Sequence, residues 1–150
     1  MPIALGRESK TDSFHVMESD VFSSFLKPDE NQPGRYADSN RVKETIPVTV
    51  RTAAEVWSEV SAQLQVSRLY LKMDTQGFDL EVFSGAAPAL PSIVALQSEM
   101  AFRKIYTGCA SFEEALACFN AAGFSLSMLY PISIDENMAL IEGDGVFVRS

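Results

Sequence analysis

The sequence predicts an α/β fold, and three observations carry that prediction. Leu69-Tyr70-Leu71-Lys72-Met73 is an apolar run ended by Asp74 and followed at once by the turn-forming Thr75-Gln76-Gly77. Ile93-Val94-Ala95-Leu96 is continuously apolar, the signature of a strand buried on both faces. Two capping boxes, Thr52-Ala53-Ala54-Glu55 and Ser111-Phe112-Glu113-Glu114, open helical segments before and after these strands. Strand, helix, strand, helix and then strands is an α/β order.

In chain order, Pro2-Ile3-Ala4-Leu5 is a short strand closed by Gly6. Residues 7–47 lack sustained periodicity, and Lys27-Pro28-Asp29-Glu30-Asn31-Gln32-Pro33-Gly34 is dense in turn formers. The stretch 27–47 is therefore expected to be a mobile loop, functional or simply flexible. Val48-Thr49-Val50 is a small extended piece. Behind the Thr52 box, Val56, Val60 and Leu64 recur every four residues beside Trp57, an amphipathic helix. Arg68 to Asp74 is the strongest strand, and Phe78 to Ser84 the helix after it, ending near Gly85. Ser92 to Glu99 is the next strand. The Ser111 box starts a helix carrying Leu116, Phe119 and Ala122, with Gly123 in the ending position. Phe124 to Tyr130 and Met138 to Ile141 read as strands, and Gly143-Asp144-Gly145 reads as a break before Val146-Phe147-Val148, with Asp144 a turn residue.

The 150 residues form one domain by length, and 47% hydrophobic with 21% charged residues is the composition of a globule with a core. Net charge is −8, with seven Lys/Arg against eight Asp/Glu in residues 1–51 and five against twelve in 52–150. Phosphate backbones are bound by clustered Lys and Arg, so nucleic acid is excluded as a partner. The longest uncharged stretch, Val82 to Ser98, has 17 residues and is interrupted by Pro88 and Pro91. A membrane span needs about 20 apolar residues. With no charged, apolar leader at the start, the expected compartment is the cytoplasm. Cys109 and Cys118 lack Cys-x-x-Cys spacing and read as ordinary thiols, and the single His15 has no metal-ligand context, so no metal is expected.

Ligands in open α/β sheets bind outside the carboxyl ends of the strands, where Asp74 and Glu99 each end a strand. If those strands are neighbours, about 4.8 Å apart, both carboxylates reach one ligand. They then orient an acceptor hydroxyl, one of them taking its proton, with mutual repulsion raising one pKa. A purely structural role is equally open to them: Asp74 capping the next helix through the amides of Gln76 or Gly77, and Glu99 paired with Arg103 or Lys104. Gln76 and Gly77 sit in the turn, where a ligand approaching the backbone needs a residue without Cβ. Lys72, two residues before Asp74, shares its sheet face and is either solvated or paired with an acid. Asp79 and Glu81 lie in the first helical turn and complement the helix dipole. Tyr106 either lines the same mouth or covers core with its ring.

The block Leu71-Lys72-Met73-Asp74-Thr75-Gln76-Gly77-Phe78-Asp79-Leu80-Glu81-Val82-Phe83-Ser84-Gly85-Ala86 closely resembles the central motif of FkbM-type S-adenosylmethionine-dependent methyltransferases. Ala4-Leu5-Gly6, Leu96-Gln97-Ser98-Glu99 and Gly145-Val146-Phe147-Val148-Arg149 agree with it in order, and Ser23-Ser24 resembles a serine pair of the family. The resemblance implies a Rossmann-like class I methyltransferase sheet, incomplete at its N-terminal, cofactor-loop half. It implies S-adenosylmethionine as cofactor and O-methylation of a small-molecule or sugar hydroxyl. It makes Asp74 and Glu99 the catalytic candidates and Gln76, Gly77 and Tyr106 the substrate-binding ones; no cofactor-binding residue is identified. No glycine-rich phosphate fingerprint occurs, since Gly143-x-Gly145 has no third glycine and no room for a helix behind it. The chain alone is accordingly expected to be inactive, its partner being a missing N-terminal half or another copy. The alternative is a non-catalytic α/β remnant or interaction module that pairs through an exposed strand edge.

Overall fold

The computed structural model describes residues 3–150, so Pro2 of the expected first strand lies outside the described residues. The chain builds two sheets. The smaller comprises β1 (Ala4–Gly6), β2 (Lys10–Met17) and β3 (Val42–Thr52) in the order β1-β3-β2, with β3 parallel to β1 and antiparallel to β2. Residues 10–17 and 42–47, read from the sequence as irregular, are therefore strands. The reason is physical: most of β2 and the first half of β3 stay exposed or half-buried, so no alternating apolar face marks them. Their pairing rests on the backbone ladder. Pro47 is tolerated in β3 because β1 pairs only with Val50, Arg51 and Thr52, leaving Pro47 on a free edge. The segment between the two strands is tied down by Glu18 N donating to Arg41 O at 2.9 Å and Ser19 N to Ser39 O at 3.0 Å.

The main sheet follows. After α1 (Ala53–Leu64) come β4 (Leu69–Met73), α2 (Asp79–Gly85), β5 (Ile93–Ala101), α3 (Phe112–Ala121), β6 (Phe124–Ile134) and β7 (Leu140–Arg149). The strand order is β4-β5-β7-β6, with β4 parallel to β5 and the other pairs antiparallel. Both capping boxes are made. Thr52 Oγ1 accepts from Glu55 N at 3.1 Å, Ser111 Oγ accepts from Glu114 N at 3.3 Å, and each glutamate bonds back to the cap amide. Gly123 closes α3 at φ 84°.

Two boundaries differ from the sequence reading. β5 runs two residues past Glu99, so Glu99 lies inside a strand and not at its end. β7 passes unbroken through Gly143-Asp144-Gly145, and Asp144 is a paired strand residue opposite Glu99 and Tyr130. The glycines are there for packing: a Cβ on Gly145 would lie 2.8 Å from the Phe147 ring, and one on Gly143 3.0 Å from the Tyr130 carbonyl oxygen.

One face of the main sheet carries the core. Leu71, Met73, Leu96, Met100 and Phe147 pack with Val82 and Phe83 of α2 and Phe119 of α3, and the rings of Phe83 and Phe119 meet edge-on at 4.9 Å. The opposite face is bare. Tyr70, Met128, Tyr130 and Val148 point from it with 49%, 47%, 51% and 42% of their surfaces exposed. A second, smaller core of Met17, Ile105, Tyr106, Cys109 and Ile141 closes over only the carboxyl end of β5. Among the described residues, none gives β4 a backbone partner on its outer edge.

Candidate active site

The turn leaving β4 is the centre of the site. Asp74 is exposed and ion-paired to Lys72, with Nζ 2.8 Å from Oδ2. It makes no bond to the amides of Gln76 or Gly77, so it is not the cap of α2. Asp79 holds the turn instead. Its buried carboxylate accepts Thr75 N at 3.0 Å, Thr75 Oγ1, Ser98 Oγ at 2.7 Å and Glu99 N at 3.0 Å, stitching the turn to β5. Burial pushes the Asp79 carboxyl up, and its four donors oppose that. A residue read from the sequence as complementing the helix dipole is thus the anchor of the turn.

Gln76 occupies the left-handed region at φ 52°, a conformation that costs a non-glycine residue about 1–3 kcal/mol and needs support. The support is visible on both sides of it. Ser24, almost fully buried, donates its hydroxyl to the Gln76 carbonyl at 2.8 Å. The Gln76 amide donates Nε2 to Glu99 at 3.2 Å, while Oε1 accepts the Tyr106 hydroxyl at 2.9 Å. Tyr106 is 1% exposed and also reaches the Phe22 carbonyl at 2.9 Å, so its phenol fixes Gln76 from within the protein. Gly77 follows at φ 84°, and a Cβ there would sit 2.9 Å from that of Cys109. Only glycine fits, because the second core closes against it.

Glu99 is half-buried and, with Met73 paired to Ser98, sits one step beyond the last β4–β5 pair, beside Asp74. Burial, then the charges of Glu142, Asp74, Asp79 and Asp144, push its carboxyl up to about 8. Arg103 and Lys104 are engaged elsewhere, Arg103 with Asp135 at 3.1 Å and Lys104 with Glu114 at 3.7 Å. Glu142, buried on β7 and accepting Ser133 Oγ at 3.2 Å, is itself raised by burial. Burial and these same carboxylates raise the Tyr106 phenol, which stays protonated. A cavity of about 20 Å³, the size of one water, lies between Glu99, Glu142, Asp79 and Tyr106.

On the outer side of the turn an apolar cleft of about 250 Å³ opens beside Asp74, lined by Leu5, Phe14, Phe25, Phe78 and Met73. Phe25 bridges the other two rings, with centroids 5.0 Å from Phe14 and 4.9 Å from Phe78. A larger groove of about 690 Å³ between β2, β3 and α1 is shallow, carries the Arg51–Glu59 ion pair and lies away from the turn.

The structure therefore brings Asp74, Gln76, Glu99 and Tyr106 around one turn. It turns Gly77 and Tyr106 inward onto protein, leaving Asp74 the accessible group. Sequence reasoning gave Asp79 only the helix dipole and Ser24 only a family resemblance, and assigned no role to Ser98 or Glu142. Ser98 offered a signal, a small polar residue between Leu96 and Met100 on the buried register of β5, whereas Ser24 and Glu142 reach the site only through tertiary packing.

The FkbM methyltransferase domain model matches residues 1–126. This chain belongs to that family. The matched FkbM residues run from β1 through α3 into the start of β6, and so include every residue of the turn and both acids. No curated protein and no solved structure matches the chain. FkbM membership implies S-adenosylmethionine in general, and neither the Gln76-Gly77 turn nor the cleft beside Asp74 forms a cradle for it. The strand-to-helix turn at Gln76-Gly77 is filled by Cys109 and Tyr106, and the glycines of β7 are packed against Phe147 and Tyr130. The cleft beside Asp74 is also below the ~300 Å³ at which ligand sites of drug-like size begin. No helix among the described residues is long and apolar enough to cross a membrane.

Proposed function

We propose that this chain supplies the acceptor side of an S-adenosylmethionine-dependent O-methyltransferase acting on a hydroxyl of a small molecule or sugar. The observation that carries the reading is the placement of an accessible carboxylate, Asp74, just past the end of β4 and beside a carboxyl pushed up to about 8, Glu99, within the adjoining strand β5. An acceptor in the aromatic cleft would present its hydroxyl to Asp74, which the Lys72 ammonium holds in place. S-adenosylmethionine would supply the methyl carbon, its bond to sulfur breaking as the acceptor oxygen bonds to that carbon; the hydroxyl proton would pass to one of the two acids, and above pH 8 Glu99 is free to take it. Gln76 holds Glu99 through its Nε2.

The family supports the methyl donor, and the residues support only the acceptor mouth. With Cys109 and Tyr106 filling the turn at Gln76-Gly77, the chain by itself is expected not to bind S-adenosylmethionine; calorimetric binding in the micromolar range overturns this. Ligand-observed NMR with a panel of methyl glycosides and small alcohols tests the mouth. Weak binding that disappears in Asp74→Asn supports the reading, and binding indifferent to that change removes Asp74 from it.

A second reading, a non-catalytic module that pairs through a strand edge, is favoured by the unpartnered edge of β4 and the bare sheet face.

A further inference from the structure

Tyr106, Gln76 and Glu99 form a hydrogen-bonded row that is short of one proton. The Tyr106 hydroxyl carries a single proton, yet two oxygens lie 2.9 Å from it, the Phe22 carbonyl and Gln76 Oε1. With Gln76 Nε2 turned to Glu99 at 3.2 Å, one of those two oxygens faces the phenol oxygen with no proton between them. Tyr106 is almost fully buried, so an acceptor left unpaired beside it loses its hydration without return.

A half-turn of the Gln76 amide about its last bond removes the shortage when Glu99 carries a proton. The Glu99 carboxyl then donates to Gln76 Oε1, Gln76 Nε2 donates to the Tyr106 oxygen, and the Tyr106 proton goes to the Phe22 carbonyl. Each donor in the row meets one acceptor.

We propose that Gln76 is a positioning residue for Glu99 that switches with its protonation, presenting Oε1 to the protonated acid and turning to present Nε2 to the ionised one. As the amide turns, the Tyr106 proton leaves the Phe22 carbonyl for Gln76 Oε1. Ionisation of Glu99 thereby reaches the 18–41 segment, to which Phe22 belongs, through two intervening side chains.

The backbone around Gln76 is fixed, which confines the motion to the amide. Ser24 holds the Gln76 carbonyl at 2.8 Å, and Asp79 holds Thr75 N and Glu99 N, each at 3.0 Å. The groups facing Glu99 favour its protonated state. They are Asp74 beyond β4, Asp79 of α2, Glu142 and Asp144 of β7, and the Tyr106 phenol after β5; burial and the four carboxylates push the Glu99 carboxyl up to about 8. Lys72 is paired with Asp74, and Arg35 opposes the rise at Glu142.

The use of the switch rests on the reading of Glu99 as proton acceptor: Nε2 holds the ionised acid, and the amide turns back once the proton arrives. Its existence is read by titration with neither methyl donor nor acceptor present, so failure of the switch and failure of the methyl-transfer reading are separate results. The experiment is NMR of the whole chain, labelled with carbon-13 and nitrogen-15 and titrated from pH 4 to 10. The Glu99 carboxyl, the Gln76 Nε2 protons and the Phe22 carbonyl should share one midpoint, with the Nε2 protons moving downfield as Glu99 ionises. Glu99→Gln, whose amide donates to Gln76 Oε1 at every pH, should flatten the other two signals. Tyr106→Phe should uncouple the Phe22 carbonyl. In Gln76→Met the ionised acid loses its donor, and since bonds to a charged group are about twice as strong as neutral ones, the Glu99 midpoint should rise by about one pH unit. Gln76 or Phe22 signals that do not move at the Glu99 midpoint overturn the proposal. So does a Phe22 carbonyl that still follows Glu99 in Tyr106→Phe, or a Glu99 midpoint unchanged or lowered in Gln76→Met.

Discussion

Ser24 and Gln76, fifty-two residues apart in sequence, are joined by one hydrogen bond of 2.8 Å from the serine hydroxyl to the glutamine backbone carbonyl. The same hydroxyl accepts Leu26 N at 3.0 Å, so a segment with no apolar periodicity is fastened directly to the turn that follows Asp74 and bonds Glu99 of β5. Ser24→Ala leaves a buried carbonyl unpaired, which costs about 1–3 kcal/mol. The expected result is a urea midpoint lowered accordingly, with faster amide exchange at Gln76 and Gly77 than elsewhere in the sheet.

Glu99 makes stability depend on pH in a defined direction. Its carboxyl is raised from 4.5 to about 8, so between those values the unfolded chain has lost a proton that the folded chain keeps. Stability present below pH 4.5 is therefore lost as pH rises through 8. At about 1.4 kcal/mol per unit, and discounting for partial exposure, the loss should be about 2–3 kcal/mol. Glu99→Gln should be the more stable protein at pH 8.5, with a flatter profile from pH 5 to 9. A wild-type protein that gains stability across this range contradicts the assignment.

Asp79 and Asp74 separate structural from functional carboxylates. Asp79→Ala orphans the donors of Thr75, Ser98 and Glu99 in a buried site and should cost about 3 kcal/mol or more. Asp74→Asn removes only an exposed pair with Lys72 and should move stability by less than about 1 kcal/mol while abolishing acceptor binding. Denaturation curves for the two proteins, beside the glycoside NMR titration, check this contrast.

Gly85 offers a test of packing against propensity. At the end of α2 an alanine is intrinsically favoured over glycine by about 1 kcal/mol. Its Cβ, however, would collide with the backbone carbonyl of Gly6 on β1, which cannot move aside as a side chain can. The collision should win, and Gly85→Ala should destabilise by about 1–3 kcal/mol, measured by thermal melting.

Much of this was readable from the residues. The capping boxes at Thr52 and Ser111 fix their helices through local hydrogen bonds, so local sequence suffices to find them. Strands β4 and β5 announce themselves because their core faces are apolar. β2 and the first half of β3 do not, since nothing about exposed polar residues distinguishes a ladder from a loop. At Gly143 and Gly145 the residue type misleads: glycine there answers to a neighbouring ring and carbonyl, where a sequence reader sees a turn. The site divides in the same way. Asp74 and Glu99 stand out by their place at apolar runs, but the hold of Asp79 and Ser24 on the turn exists only once β5 and the 18–41 segment are folded against it.

The order β4-β5-β7-β6 places the strand synthesised last of the four between two made earlier. While the nascent chain is still on the ribosome, β5 and β6 have no direct bond to each other, and Phe147 is missing from the centre of the core. The sheet can therefore close only after β7 has cleared the exit tunnel. A polypeptide cut before Leu140 would keep its helices and the β2–β3 pair but carry an unfilled slot between β5 and β6, a natural target for quality-control proteases.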